Sequence, residues 1–340
     1  MKLSGLQVAV VWVAAGVAVG MLPGAQDNGI GGPVSGFVVD GRSHALRPIN
    51  GLPGSAVLGT AVQLPFSAGL AAAATDLDYA LVTDAHGTGE PFLARGLASG
   101  TPTVAPLAGG IVASDAVLAA SETAAVLYSS PNARLQFVSG LPALPQAGAP
   151  VDVSSLSSGV AAMAVDSTGR TALLIAGDGG IYRAGADGTG PQFIVRATGA
   201  SSVSLLPNGL DAVIGNRDTG DVLLIRGFAG AATVSTLTGA GAGIGSTTAV
   251  QALSDHEAAI VDGAGRIAVV DIHTSAVSWM GLAGKADRIE PARRNLFLLN
   301  HPGSGPLLLL DLTSGRMTYF VPPEGTTDFE LHKGTNIWKH

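Results

Sequence analysis

Short apolar runs recur along the chain, each closed by Asp, Arg or Ser and then a turn. They are FVVD ending at Asp40, FLAR at Arg95, LQFVS at Ser139, IYR at Arg183, VLLIR at Arg226, IAVVD at Asp271 and LLLLD at Asp311. The closing residues lie 55, 44, 44, 43, 45 and 40 positions apart. Around the copies ending at Arg183, Arg226, Asp271 and Asp311 the same grammar of strands and turns recurs, and around Arg95 and Ser139 it fits more loosely. Before Arg226 the chain reads SSVSLL (201–206), a turn at 207–209, DAVIGN (211–216), a turn at 217–220 and VLLIR; ATVSTL (232–237) follows. Runs this short, rich in Val, Ile, Leu and Thr and bounded by Gly, Asn, Asp or Pro, are strand signals, and the brief turns join them as an antiparallel meander.

A strand-built repeat of about 40–50 residues is the signature of a β-propeller, with one blade per repeat. The chain is therefore read as all-β, with the recurrent run as the third strand of a four-stranded antiparallel blade. Six blades are complete, at 67–107, 111–155, 159–197, 201–237, 248–280 and 287–321. In the first two, Ala-rich segments such as AGLAAAA (68–74) and ASDAVLAA (113–120) stand where an innermost strand crowds the axis. FVVD (37–40) and HALRPI (44–49) remain over and match a third and a fourth strand; DFELHK (328–333) and TNIWKH (335–340) would supply the first two. That closes a seven-bladed ring with strands from both ends and leaves no bare sheet edge. The alternative is a six-bladed ring with an N-terminal hairpin outside it.

Composition narrows the picture. Apolar residues make up 47% and charged residues 13%, against roughly 25% charged in an average soluble domain. The 48 Gly and 19 Pro spread through these runs favour many strands and tight turns over long helices. A net charge of −7 and the absence of any basic stripe argue against a nucleic-acid partner. Without cysteine there are no disulfides, thiolate metal sites or thiol nucleophile.

Residues 1–25 form a separate segment: Lys2, an apolar run from Leu6 to Leu22 broken only by Gln7, then Pro23-Gly24 and small residues. This reads as a signal peptide, with an uncleaved anchor as the alternative. The expectation is one propeller domain over 26–340, exported to the periplasm or exterior of a bacterium, with no membrane span once the leader is cut.

The turns Leu-Pro-Asn-Gly (206–209) and Asp-Ser-Thr-Gly (166–169), with the endings Val-Val-Asp and Leu-Leu-Asp, resemble the exported bacterial propellers with YVTN- or NHL-type repeats. The resemblance covers roughly 36–322 and implies a fold and a secreted habit, but no activity.

The clearest chemical pattern is an Asx residue closing the second strand: Asp84, Asp178, Asn216, Asp262 and Asn300. Such residues ordinarily bond their own turn. If these loops gather at one mouth of the ring, their oxygens would also suit Ca²⁺, another divalent ion or a polar ligand. His86 and His301 fall in equivalent loops and would face the same mouth, as solvated side chains or as ligands and acid–base groups. Asp255-His256-Glu257 occupies a first turn, on the opposite face. GAGAGIG (239–245) precedes a strand rather than a helix, so it is no dinucleotide loop. No nucleophile elbow, zinc-protease or EF-hand motif occurs.

The expected function is therefore a non-enzymatic, exported binding or scaffold module for a protein or small ligand, with no catalytic residue and no cofactor assigned. The rivals are a divalent-metal hydrolase resembling the propeller lactonases, and a cell-surface or outer-membrane assembly component.

Overall fold

The computed structural model describes residues 32–322, apart from 41, 42, 283, 303, 304 and 314. They form seven antiparallel sheets in chain order: blade 1 (34–58), blade 2 (68–106), blade 3 (115–152), blade 4 (160–196), blade 5 (200–238), blade 6 (247–280) and blade 7 (290–321). Blades 2 to 7 each run first strand to fourth strand, inside to outside. The six recurrent runs ending at 95, 139, 183, 226, 271 and 311 are third strands, as the spacing predicts. In blade 3 the fourth strand is broken into Gln146–Ala147 and Val151–Asp152, both paired with Arg134–Ser139. The buried Gln136 spans the break: its amide donates to the carbonyls of Gly109 and Gly148, and its oxygen accepts the Ile111 N–H.

Second strands are apolar on both faces because strands flank both their edges and blades cover both their sides. Ala124–Ser129, Ala212–Asn216 and Tyr79–Thr83 are buried throughout. Fourth strands such as Gln192–Arg196 face solvent. The two-residue period of a strand then sends alternate side chains to opposite neighbours. In Thr171–Ala176, Ala172, Leu174 and Ala176 pack toward blade 3, while Leu173 and Ile175 pack toward blade 5.

The core is accordingly distributed. Seven apolar clusters each lie between two successive blades. Between blades 3 and 4, Val126, Leu135 and Phe137 meet Met163, Val165 and Leu174. The ring closes where Val38, Ile49 and Ala56 of blade 1 meet Leu298, Leu309 and Val321 of blade 7. Each such Val, Leu or Ile adds about 1.5–3 kcal/mol by leaving water. Closure depends on a close backbone approach at Gly36, where a Cβ would stand 2.9 Å from the Cβ of Ala292.

Blade 1 differs from the expectation. FVVD and HALRPI are not its third and fourth strands. Val34–Asp40 pairs with Ala45–Asn50, which pairs in turn with Val57–Leu58, an outer strand the sequence reading missed. The first two strands are equivalent to the second and third of other blades. The Ala68 N–H donates to the His44 carbonyl at 2.7 Å, which puts the turn at Ser43 and His44 on the face of the second-to-third-strand loops. On the outer side, Gly54 lies against Tyr319 of blade 7, and the matching turn of blade 3 likewise meets blade 2, where Arg95 Nε donates to the Pro142 carbonyl at 2.7 Å. Asp40 also stands 44 positions before Asp84, one full repeat. The missed strand is short because Gly51, Pro53, Gly54 and Gly59 crowd it, and these residues leave only two ladder pairs.

The tail strands predicted at 328–333 and 335–340 lie outside the described residues, and so does the signal peptide predicted at 1–25. Among the described residues, no helix is long and apolar enough to cross a membrane.

Candidate functional site

The second-to-third-strand loops of the blades do open on one face, and each Asx residue there is engaged by its own loop. Asp84 Oδ1 accepts the His86 N–H at 2.9 Å. Asn216 Oδ1 accepts the N–H groups of Asp218 and Thr219, and its amide donates to the Thr198 carbonyl at 2.8 Å. Asp262 Oδ1 accepts from the Ala264 and Arg266 amides, while Oδ2 takes the Arg266 guanidinium at 2.6 Å. Asn300 accepts the Leu308 N–H and donates to the Pro306 carbonyl, so it spans its loop from end to end. Asp178 accepts the Gly180 N–H and pairs with Arg196 at 2.8 Å. The Gly180 amide foremost, with Arg196, holds its carboxyl below the ordinary value.

This is turn chemistry. An Asx oxygen bonded to amides two residues on reproduces a backbone turn and fixes the next strand's register. Asn216 and Asp262 are also buried, so their polar atoms need these partners.

The histidines divide between different neighbours. His86 stands edge-on to His44 of blade 1, with ring centroids 6.4 Å apart, and His301 Nδ1 lies 3.3 Å from Asp287 Oδ1. Both are on the predicted face, but each has its own partner. On the opposite face, His256 in the first turn of blade 6 meets His273 in the third-to-fourth turn, with Nδ1 atoms 3.4 Å apart. The carboxylates flanking His256 are engaged elsewhere: Asp255 accepts the Asn208 N–H of blade 5, and Glu257 pairs with Arg316 of blade 7. Among the described residues, no three His, Asp or Glu side chains are grouped to hold a metal ion.

One buried polar group that ties two blades together is one that sequence reasoning passed over. Glu122, in the first turn of blade 3, is buried and has φ of 55°. Its carboxylate accepts the N–H groups of Thr75, Asp76 and Leu77 and the Thr75 hydroxyl, all in the first turn of blade 2. Successive amides of one turn make an anion-binding concavity, and here the anion comes from the next blade. No local pattern flags it, since its partners lie 45 to 47 residues away. On the innermost strand of blade 3, burial pushes the Asp115 carboxyl up; the Ala116 N–H partly offsets this.

Solved structures resemble this architecture. One, of a functionally unknown protein from Desulfotomaculum acetoxidans DSM 771, is 12% identical, with 85% of this chain and 99% of that one covered and a TM-score of 0.58. Another, the Cps50 (Swd1) β-propeller domain of Myceliophteria thermophila, is 12% identical, with 85% and 96% covered and a TM-score of 0.51. No protein-family model matches the sequence. No curated protein matches it. At such identity the likeness concerns fold alone, and on that fold the chain is an all-β, seven-bladed propeller.

Proposed function

We propose that this protein is an exported, non-enzymatic scaffold whose outer rim binds a polypeptide partner. The observation that carries the reading is the outer strands of five blades adjoining around the ring. Val57, Phe193, Val234, Trp279 and Phe320, in blades 1, 4, 5, 6 and 7, are large apolar side chains left exposed beside an outermost strand edge. Isolated exposed apolar residues are commonplace. Their recurrence on the outermost strands, next to backbone groups able to extend a sheet, suits an extended polypeptide. The Asx oxygens on the loop face are meanwhile tied into turns, which favours this reading over a channel-mouth ligand. Export rests on the leader-like pattern of residues 1–25, and the turn motifs favour kinship with the YVTN- and NHL-type repeats.

A photo-crosslinking residue at Phe320, in cells producing the full chain, is expected to give discrete protein adducts. The same probe at Leu144, exposed on blade 3 outside that arc, is expected to give none. Identical adducts at both sites, or metal-dependent lactone hydrolysis by the purified protein, would overturn the reading.

A further inference from the structure

We infer that His256 and His273 form a binding site for one transition-metal ion, Zn²⁺ in the first place, on the first-turn face of blade 6. His256 lies in the turn between Thr247–Ala252 and Glu257–Asp262, and His273 in the turn between Ile267–Asp271 and Val277–Met280. Their Nδ1 atoms stand 3.4 Å apart. The rings are inclined at 36° with centroids 4.9 Å apart, so the Nδ1 edges lean toward each other.

Two imidazole nitrogens bound to one tetrahedral Zn²⁺ at about 2.0–2.1 Å stand about 3.3–3.4 Å from each other. The Nδ1 separation here matches that of two ligands on one ion. It is long for a direct hydrogen bond between the rings, since bonds donated by N–H run at about 2.7–3.2 Å. Two lone pairs facing each other across this gap repel, and so do two protonated rings. A cation between them turns both lone pairs into ligands.

The two turns are fixed before any ion arrives. Ser254 Oγ accepts the His256 N–H at 3.1 Å, and Asp271 Oδ1 accepts the His273 N–H at 2.9 Å. The Ile272 N–H donates to the His256 carbonyl at 2.8 Å and ties one turn to the other. Glu257 is the ladder partner of Asp271, so both histidines ride on one strand register. With the backbone already placed, only side-chain freedom is lost when the ion binds.

The surroundings suit a cation. Asp255, Glu257 and Asp271 lie within two residues of the pair, on a chain of net charge −7. Asp255 is engaged by the Asn208 N–H, Glu257 by Arg316, and Asp271 by the amides of its own turn. Their charge therefore supplies an attractive field, while the imidazoles supply the ligands. Imidazole donors suit Zn²⁺, Cu²⁺ and Ni²⁺, whereas Mg²⁺ and Ca²⁺ take oxygen. Among the first three, the tetrahedral spacing favours Zn²⁺. Both rings are exposed, so the ion enters from solvent and water fills its remaining positions. The site is thus of the open kind, on the face away from the Asx loops and independent of the rim.

Zinc titrated into the purified full chain and followed by calorimetry is expected to bind at one equivalent, and a tenfold excess of Mg²⁺ is expected not to displace it. His256→Gln and His273→Gln, each alone, are expected to weaken this binding at least about tenfold, because the ion loses one of its two protein ligands. His86→Gln and His301→Gln, on the other face, are expected to leave it unchanged. Co²⁺ in place of zinc reads the geometry: the strong visible absorption of a tetrahedral ion is expected in the parent and in neither His256→Gln nor His273→Gln. Full-strength binding by either of these two variants, displacement by Mg²⁺, or no stoichiometric binding by the parent would overturn the proposal. So would zinc held only in a zinc-dependent dimer, which would place the ion between two chains.

Discussion

The phenolic hydroxyl of Tyr79 donates to the backbone carbonyl of Glu122 at 2.5 Å, while the Glu122 carboxylate sits on three amides of the turn just before Tyr79. Two consecutive blades thus hold each other by a reciprocal polar clasp at the end of their shared apolar interface. Burial foremost, then the Glu122 charge, pushes the Tyr79 phenol above its ordinary value, so it stays a neutral donor.

Breaking this clasp leaves partly buried amides without an acceptor. Glu122→Ala is expected to cost about 2–4 kcal/mol and Tyr79→Phe about 1–2 kcal/mol. Denaturant midpoints of both variants and of the double variant check this. The double variant should cost less than the two combined, because the Tyr79 hydroxyl bonds a turn that the carboxylate holds in place.

Leu309 is fully buried in the third strand of blade 7, at the joint with blade 1. Leu309→Ala is expected to cost about 2–5 kcal/mol. Leu309→Asp places an unpaired charge in that joint and is expected to cost more than about 4 kcal/mol, enough to abolish soluble folded protein. An unchanged melting curve for the Asp variant would contradict the strand's position.

Asn216→Ala removes the acceptor for two amides and the donor to Thr198, with an expected loss of about 1–3 kcal/mol. Asn216→Asp keeps the acceptor and should lose less. If both are neutral by thermal melting, the residue is not a turn brace and a ligand role regains ground.

Asp115 sets a pH dependence whose sign is opposite to that of Asp178 and Asp271. Its folded-state value is raised by burial, so what it contributes is present below about pH 4 and is lost as pH rises through the raised value. Asp115→Asn is therefore expected to melt higher than the parent at pH 7 and to match it near pH 3. Asp178 and Asp271 run the other way. Their values are lowered, chiefly by the amides of Gly180 and Thr274, so their contributions are present above about pH 4 and fade on acidification. Parallel melts at several pH values separate the two behaviours.

The leader proposed at residues 1–25 makes a prediction of its own. Exported protein is expected to begin between about residues 21 and 27, as read by N-terminal sequencing. An intact Met1 would favour an anchor.

The third strands were legible because each is a continuous apolar run with a turn behind it, a purely local signal. Blade 1 was misread by one strand. The sign of the error was present as the 55-residue gap from Asp40 to Arg95 among gaps of 40 to 45. Pairing Asp40 with Asp84 restores the period, but that needs a rule for which strand an Asx residue closes. The Asx turns themselves were readable, since Asp84 and Asp262 bond amides two residues on. Glu122 was not, because a carboxylate seated on the turn of another blade leaves no trace in its own neighbourhood.

The seven apolar joints lie between blades and none lies on the axis. Ala161, near the start of an inner strand, is exposed and belongs to none of these joints. Substitution there disturbs no joint. The rim and the inner wall of such a ring are therefore free to drift under selection for new contacts while the joints stay fixed. A lineage built on this frame can change what it recognises many times over without refolding.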